Sequence, residues 1–182
     1  MAKRALILVD LQNEYEADGK LPLEKLEQAV ANARRVLAAT RDAGEPVIHI
    51  RHETPGSAEA PFAVGTAGTA ILAAVAPIQG ETVLTKHYPN SFRDTGLKAL
   101  LDEAGVEEVV IVGAMSHMCI DATARAAFDF GYGVTVVGDA CATRALSFDG
   151  IDVPAVQVHA AFMAALAFAY AKVVSTADLL SA

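Results

Sequence analysis

The sequence has no tryptophan, only two cysteines in 182 residues and no long uncharged apolar run. Cys119 and Cys141 are too few for a disulfide framework and form no C-x-x-C pair for structural zinc, so we expect two reduced thiols. A membrane span needs about 18 to 20 apolar residues, and residues 1–4 lead into a short strand pattern instead of a signal sequence. These absences predict a cytoplasmic protein without a membrane partner.

Basic residues are also scarce, with 14 Lys and Arg against 22 Asp and Glu and a net charge of −8. No basic block is present, which argues against a surface that follows a phosphate backbone and hence against a nucleic-acid partner. Apolar residues make up 53% of the chain and charged residues 20%, a composition typical of folded domains. With no candidate linker or repeat, we expect one domain over residues 1–182.

Short apolar runs alternate with helical patterns along the chain. We predict strands at 5–9, 46–50, 82–85, 109–112, 133–137 and 173–174, and helices at 22–43, 94–105, about 119–131 and 154–170. Most strands are apolar throughout, which is typical of strands covered on both faces. The alternation predicts an α/β fold in which a mainly parallel sheet of roughly six strands has helices on both faces.

Three reactive side chains stand at or just beyond the carboxyl ends of predicted strands. Asp10 follows the first strand, Lys86 ends the third, and Cys119 comes one short turn after the fourth. Each alone has an ordinary structural interpretation: a turn cap, a solvated lysine or a small apolar filler. Because open α/β sheets bind ligands at this edge, their joint placement favours a shared active site.

These residue types suit acyl transfer. A thiol is mostly protonated at neutral pH, and only the thiolate attacks a carbonyl well. The cation of Lys86 and a helix N-terminus at Cys119 both favour the thiolate, and Asp10 can accept the proton and later return it to a leaving amine. The tight turn 113–119 can present backbone N–H groups to an oxyanion.

At this point the sequence resembles the isochorismatase-like hydrolases (cysteine hydrolases), which include nicotinamidases and N-carbamoylsarcosine amidases. The resemblance rests on the order and spacing of four stretches: Leu8 to Asn13, Lys86 with Asn90 to Phe92, Gly113 to Arg125, and Asp139 with Ala140. It spans nearly the whole chain, down to residues 173–176.

The resemblance implies a three-layer Rossmann-like doubly wound fold and an Asp-Lys-Cys triad, here Asp10, Lys86 and Cys119. It also implies a cis peptide between Ala114 and Met115 and an oxyanion hole made by the backbone N–H groups of Met115 and Cys119. Family members that cleave the isochorismate vinyl ether manage without the cysteine, so Cys119 favours an amidase acting on a small-molecule amide.

Nicotinamidases resembling this fold carry an Asp-x-His metal pair after the second strand, and residues 49–53 lack it. We therefore expect no metal and no cofactor, although His52, Glu53 and His87 are the residues that would ligate one. Seven side chains are candidates for the substrate pocket: Gln12, Tyr15, His52, Phe62, His87, Phe92 and His117. The apolar last helix, 154–170, is a candidate contact of a homo-oligomer, a dimer or a tetramer.

Two alternatives remain open at this point. A vinyl-ether hydrolase would use Asp10 as the acid and leave the thiol incidental. A non-catalytic metabolite-binding module is also compatible with the fold, since a doubly wound sheet hosts many functions. A nucleotide ligand is disfavoured, because neither G-x-G-x-x-G after the first strand nor G-x-x-x-x-G-K-[ST] occurs.

Overall fold

The computed structural model describes residues 3–181 and contains eight strands in that range. They are β1 (Arg4–Val9), β2 (Val47–His52), β3 (Thr82–Lys86), β4 (Glu108–Ala114), β5 (Gly133–Ala142), β6 (Leu146–Phe148), β7 (Ile151–Val153) and β8 (Lys172–Val174). Six of them form one sheet in the order β3-β2-β1-β4-β5-β8, and every neighbouring pair is parallel.

Helices cover both faces of this sheet. They are α1 (Leu26–Asp42), α2 (Leu97–Glu103), α3 (Asp121–Asp129), α4 (Ala155–Ala169) and α5 (Thr176–Ser181). Apolar residues of α1 and α5 pack in the core layer on one face, and those of α2, α3 and α4 in the layer on the other. The predicted three-layer, doubly wound α/β fold is therefore confirmed.

The central strand β1 supplies both core layers because its side chains alternate between the two faces of the sheet. Ala5, Ile7 and Val9 belong to one layer, and Leu6 and Leu8 to the other. All five are essentially inaccessible to solvent. This explains why the strand reads as a continuous apolar run and why its first polar residue marks the edge of the sheet.

Helix α1 begins at Leu26, so the predicted start at Pro22 is wrong. The cause is a tertiary contact: the backbone N–H of Glu24 donates to the carbonyl of Thr143, 3.1 Å away, and the two residues form an isolated antiparallel bridge. Extended backbone at Glu24 is incompatible with a helix there. The pairing joins the entry to α1 to the end of β5.

Helix α2 also begins later than predicted, at Leu97 instead of Asp94. Asp94 has a left-handed backbone with φ of 55°. The side chain of Thr95 makes the hydrogen bonds before the helix. Its hydroxyl donates to the carbonyl of Ser91 at 2.6 Å and accepts the N–H of Leu97 at 3.3 Å.

The antiparallel hairpin of β6 and β7 was not predicted. Its strands are three residues each, too short for a clear alternating pattern. Phe148 and Ile151 flank its turn and are 84% and 66% exposed.

Candidate active site

Asp10, Lys86 and Cys119 meet at the carboxyl edge of the sheet. Lys86 Nζ lies 2.7 Å from Asp10 Oδ2 and 3.2 Å from Cys119 Sγ. Strand β3 is separated from β1 by β2, a distance of roughly 10 Å at ordinary strand spacing, so a long side chain is needed to cross it. The three side chains form a contiguous carboxylate, ammonium and thiol group.

Burial governs the electrostatics of this group. Asp10 is 0% exposed, Lys86 1% and Cys119 6%. Burial raises the pKa of the Cys119 thiol well above its ordinary value, and the Asp10 charge raises that pKa further, whereas the Lys86 cation opposes both. Cys119 therefore rests as a thiol at neutral pH, and the thiolate favoured by sequence reasoning must form by proton transfer.

Lys86 keeps its charge despite its burial. Burial alone would lower its pKa, but the charge of Asp10 and the contacts of the ammonium with Asp10 and the Cys119 sulfur raise that pKa above the ordinary value. Asp10 Oδ1 is buried and takes no hydrogen bond from residues 3–181, so it retains a lone pair for a proton. The Lys86 ammonium therefore lies between Asp10 and the Cys119 sulfur.

The backbone at the two central strand ends is unusual. Asp10 is left-handed, with φ of 51°, and its N–H donates to the carbonyl of Ile50 at 3.0 Å. Gly113 has φ of 130°, and a Cβ at this position would lie 2.0 Å from the carbonyl oxygen of Val9. Only glycine permits this approach of β4 to β1. Val9, which Gly113 approaches, directly precedes Asp10 in the chain.

The segment that presents Cys119 is a single π-helical turn, Ser116–Ile120, which leads directly into α3. It follows the peptide bond between Ala114 and Met115, which is cis, at the position that the resemblance implies. The Met115 carbonyl accepts the N–H groups of Met118, at 3.0 Å, and Ile120, at 3.2 Å. These two hydrogen bonds fix the backbone on either side of Cys119.

Aromatic rings cover one side of the triad. Phe62 packs edge-on against Tyr15, with 5.1 Å between ring centroids, and against His52, with 5.3 Å. Tyr15 is 2% exposed, and burial, followed by the charge of Asp10, raises its pKa. Tyr15 is thus a neutral phenol close to the reactive group.

The model of the isochorismatase domain matches residues 4–178. The chain belongs to the isochorismatase family. It is similar to YddQ, an isochorismatase family protein of Bacillus subtilis, at 48% identity over 94% of this chain and 96% of that protein. A crystal structure of an isochorismatase-family hydrolase from Oleispira antarctica superimposes with a TM-score of 0.95 at 50% identity, covering 100% of this chain and 97% of that one.

Hydrolases of C–N bonds are among the relatives in this family. The maleamate amidohydrolase of Pseudomonas putida is 34% identical over 156 residues, which cover 78% of this chain and 73% of that protein. The family places the chain among hydrolases and confirms the resemblance found in the sequence.

Gln12 is one of the predicted pocket residues. Its side-chain amide makes hydrogen bonds to three backbone groups. Its Oε1 accepts the His52 N–H at 2.8 Å, and its Nε2 donates to the carbonyls of His52 and Thr69, each at 2.9 Å. Gln12 is completely buried. It fixes the end of β2 against the loop after β1 and offers no free polar group to a substrate.

Three other pocket candidates are engaged elsewhere. His87 Nδ1 donates to the Glu53 carbonyl at 2.6 Å, and His117 Nδ1 lies 2.6 Å from the Thr143 hydroxyl. The Phe92 ring lies in the core layer with the Tyr132 ring, 6.2 Å away, and packs against the half-exposed Phe130 ring at 5.2 Å. The wall beside the triad thus comprises Tyr15, His52 and Phe62, and the substrate-binding roles of the candidates stay predictions.

Cavity size does not identify this site. A cleft of about 730 Å³ is lined by Tyr15, Leu26 and Leu72, and a smaller one of about 200 Å³ by Cys141 and His159, but the triad lines neither. The cluster of buried ionisable groups is the better guide, because clefts of this kind are common on surfaces and such clusters are not. All three residues of the cluster are buried.

No group of three or more His, Cys, Asp or Glu residues within residues 3–181 is arranged to hold a metal ion. His52 is instead committed to Lys86, with Nδ1 3.0 Å from the ammonium nitrogen. Catalysis without a metal stays a prediction.

Sequence reasoning missed two supports of the site. Glu14 is a buried carboxylate that accepts the backbone N–H groups of Lys20 and Phe62, at 2.9 and 3.1 Å, and so ties the aromatic wall in place. Ser116 Oγ, on the π-helical turn, lies 2.8 Å from His159 Nδ1 on α4. Neither support has a local sequence signal, since Glu14 and Phe62 are 48 positions apart and Ser116 and His159 are 43 positions apart.

Proposed function

We propose that this chain is a cysteine-dependent hydrolase of a small amide or carbamoyl compound, with Cys119 as nucleophile, Asp10 as proton carrier and Lys86 as the cation between them. The observation that carries the proposal is the position of the Lys86 ammonium, 2.7 Å from the carboxylate and 3.2 Å from the sulfur. A buried carboxylate, cation and thiol in contact supply the base, the charge and the nucleophile that acyl transfer needs.

In the first half of the reaction, the thiol proton passes to Asp10, and Cys119 Sγ forms a bond to the substrate carbonyl carbon. The oxygen becomes an oxyanion, which the backbone N–H groups of Met115 and Cys119 would stabilise. The C–N bond then breaks, the electron pair leaves with nitrogen, and Asp10 returns the proton to the leaving amine. The product of this half is ammonia or an amine, and the enzyme carries a thioester.

In the second half, water replaces the amine. Asp10 accepts a proton from the water as its oxygen bonds to the thioester carbon, and the C–S bond breaks. The proton returns to the sulfur, which restores the resting thiol. One carboxylate serves both halves as base and then acid, which suits a group held beside a permanent cation.

The vinyl-ether alternative uses Asp10 as the acid and needs no thiol. It does not account for the contact of the Lys86 ammonium with Cys119 Sγ. The named activity of the maleamate amidohydrolase also supports the amide reading, as does the presence of a cysteine at this position.

The test is a screen of small primary amides and carbamoyl compounds for ammonia release. We expect turnover of at least one compound, and its loss in Cys119→Ala, because the change removes the nucleophile and little volume. The matched control is Cys141→Ala, since Cys141 is the other buried cysteine and has no role in the proposed chemistry. Activity in Cys119→Ala, or equal loss in both variants, would contradict the choice of nucleophile.

A further inference from the structure

The Lys86 ammonium has a third neighbour besides Asp10 and Cys119. His52 Nδ1 lies 3.0 Å from Lys86 Nζ. An ammonium group has three N–H donors and no acceptor. With Asp10 Oδ2 at 2.7 Å and Cys119 Sγ at 3.2 Å, the ammonium faces one acceptor atom for each of its hydrogens.

The ring of His52 is held firmly in this place. His52 is the last residue of β2 and pairs in register with Lys86, the last residue of β3. Gln12 binds both its N–H and its carbonyl, and Phe62 packs edge-on against the ring. A side chain fixed by backbone bonds and by packing is suited to orienting another residue.

His52 must be neutral to make this contact. Nδ1 faces an ammonium group, so it accepts a hydrogen, and the ring proton of the neutral tautomer is on Nε2. Burial and the Lys86 cation, with a smaller contribution from His87, lower the pKa of His52 to about 4, while Asp10 opposes the shift. The accepting form therefore predominates at neutral pH.

We propose that His52 is a positioning residue that holds the Lys86 ammonium against the Cys119 sulfur throughout acyl transfer. The proposal rests on the proposed function. When the Sγ–H bond breaks and the proton bonds to Asp10, the carboxylate becomes neutral and its ionic attraction to Lys86 is lost. The ammonium then has two strong partners left, the new thiolate and the neutral His52 ring. His52 is the one whose charge does not change during this step.

The test compares His52→Asn with His52→Gln. The amide of asparagine can place an acceptor oxygen near the position of Nδ1, whereas glutamine extends one methylene further and places it near the position of Nε2, away from Lys86. We expect His52→Asn to keep kcat within about threefold of wild type and His52→Gln to lower it about 10- to 100-fold, with KM nearly unchanged.

The second measurement is the rate of Cys119 alkylation by iodoacetamide, followed by mass spectrometry, which needs no substrate. We expect slower alkylation at neutral pH in His52→Gln, because a displaced ammonium stabilises the thiolate less, and a rate close to wild type in His52→Asn. Both replacements are polar and of similar volume to histidine, and the circular dichroism spectrum checks that they fold.

Wild-type kcat and alkylation in His52→Gln would overturn the proposal. Equal impairment of His52→Asn and His52→Gln would also overturn it, since it would show that the imidazole shape matters and not the acceptor. Turnover by Cys119→Ala would refute the proposed function separately, while the alkylation series would still report whether His52 positions Lys86.

Discussion

Cys119 is a buried thiol whose reactivity depends on two charged neighbours of opposite sign. Sequence reasoning considered the Lys86 cation and the helix terminus, both of which favour the thiolate, and had no measure of burial. In the structure, burial and Asp10 outweigh Lys86, and the pKa of the thiol is raised. Oxidation and alkylation act on the thiolate, so a cysteine that stays protonated until a base removes its proton is protected from both.

Replacing Lys86 by methionine tests the role of its charge. In Lys86→Met the sulfur loses its cationic neighbour and keeps Asp10, so the pKa of Cys119 should rise further. An opposite charge at this distance shifts a pKa by about 1 or more, and we expect at least about tenfold slower alkylation by iodoacetamide at neutral pH. The rate is measured against pH in both proteins.

The control for this change is Lys98→Met, because Lys98 is exposed and pairs with Asp102 on α2. Its alkylation profile should match wild type. Strongly interacting groups titrate together, so any inflection in the plot of alkylation rate against pH belongs to the three coupled groups and not to one residue. Superimposable profiles for Lys86→Met and wild type would show that the ammonium does not govern the sulfur.

At the scale of elements, the site depends on how closely β4 approaches β1. Gly113→Ala would add a Cβ 2.0 Å from the Val9 carbonyl oxygen, at a φ of 130° that other residues rarely adopt. We expect a loss of about 2 to 4 kcal/mol in the free energy of unfolding, measured by urea denaturation.

Gly44→Ala is the matched control for this substitution. Gly44 ends the α1 region with φ of 67°, and a Cβ there meets no atom within 4 Å. Only the left-handed backbone opposes alanine, at a cost of about 1 kcal/mol. Equal losses in the two variants would mean that contact with Val9 adds nothing to the strain at Gly113.

The strands and the grouping of Asp10, Lys86 and Cys119 at one sheet edge could be predicted, because each strand end has a local sequence signal. A buried parallel strand is a continuous apolar run, and its first reactive residue marks the sheet edge, as Val9 and Asp10 show. The helix starts were less predictable, since the bridge of Glu24 to Thr143 joins residues far apart in the chain. The same reason hid the role of Gln12, whose partners lie at the end of β2 and in the loop that follows it.

At the scale of the whole molecule, several expectations stay predictions. These are a single domain over residues 1–182, a homo-oligomer and a cytoplasmic location. In the described part of the chain, no helix is both long and apolar enough to cross a bilayer. Helix α4 exposes Val156 and Phe168, at 63% and 91%, so its outward face is as apolar as the sequence suggested.

A partly buried ion cluster away from the site links Glu81, the residue before β3, to α1 and β2. Glu81 accepts two hydrogen bonds from the Arg41 guanidinium, at 2.7 and 2.9 Å, one from the Ile78 N–H at 2.9 Å, and contacts His49 Nε2 at 2.9 Å. These donors, Arg41 above all, lower the pKa of Glu81 from 4.5 to about 2, although burial opposes the shift. The carboxylate therefore stabilises the folded state as long as it is charged.

The pH dependence of stability follows from this shift. Because the folded pKa lies below the unfolded value, the contribution of Glu81 is fully present above pH 4.5 and is lost as the pH falls towards about 2. We expect Glu81→Gln to lower the free energy of unfolding by about 2 to 4 kcal/mol at pH 7 and by progressively less below pH 4.5. Urea denaturation at a series of pH values measures this, with the exposed Glu107→Gln as control. A gap between wild type and Glu81→Gln that stays constant down to pH 2.5 would show that the charge of Glu81 does not stabilise the fold.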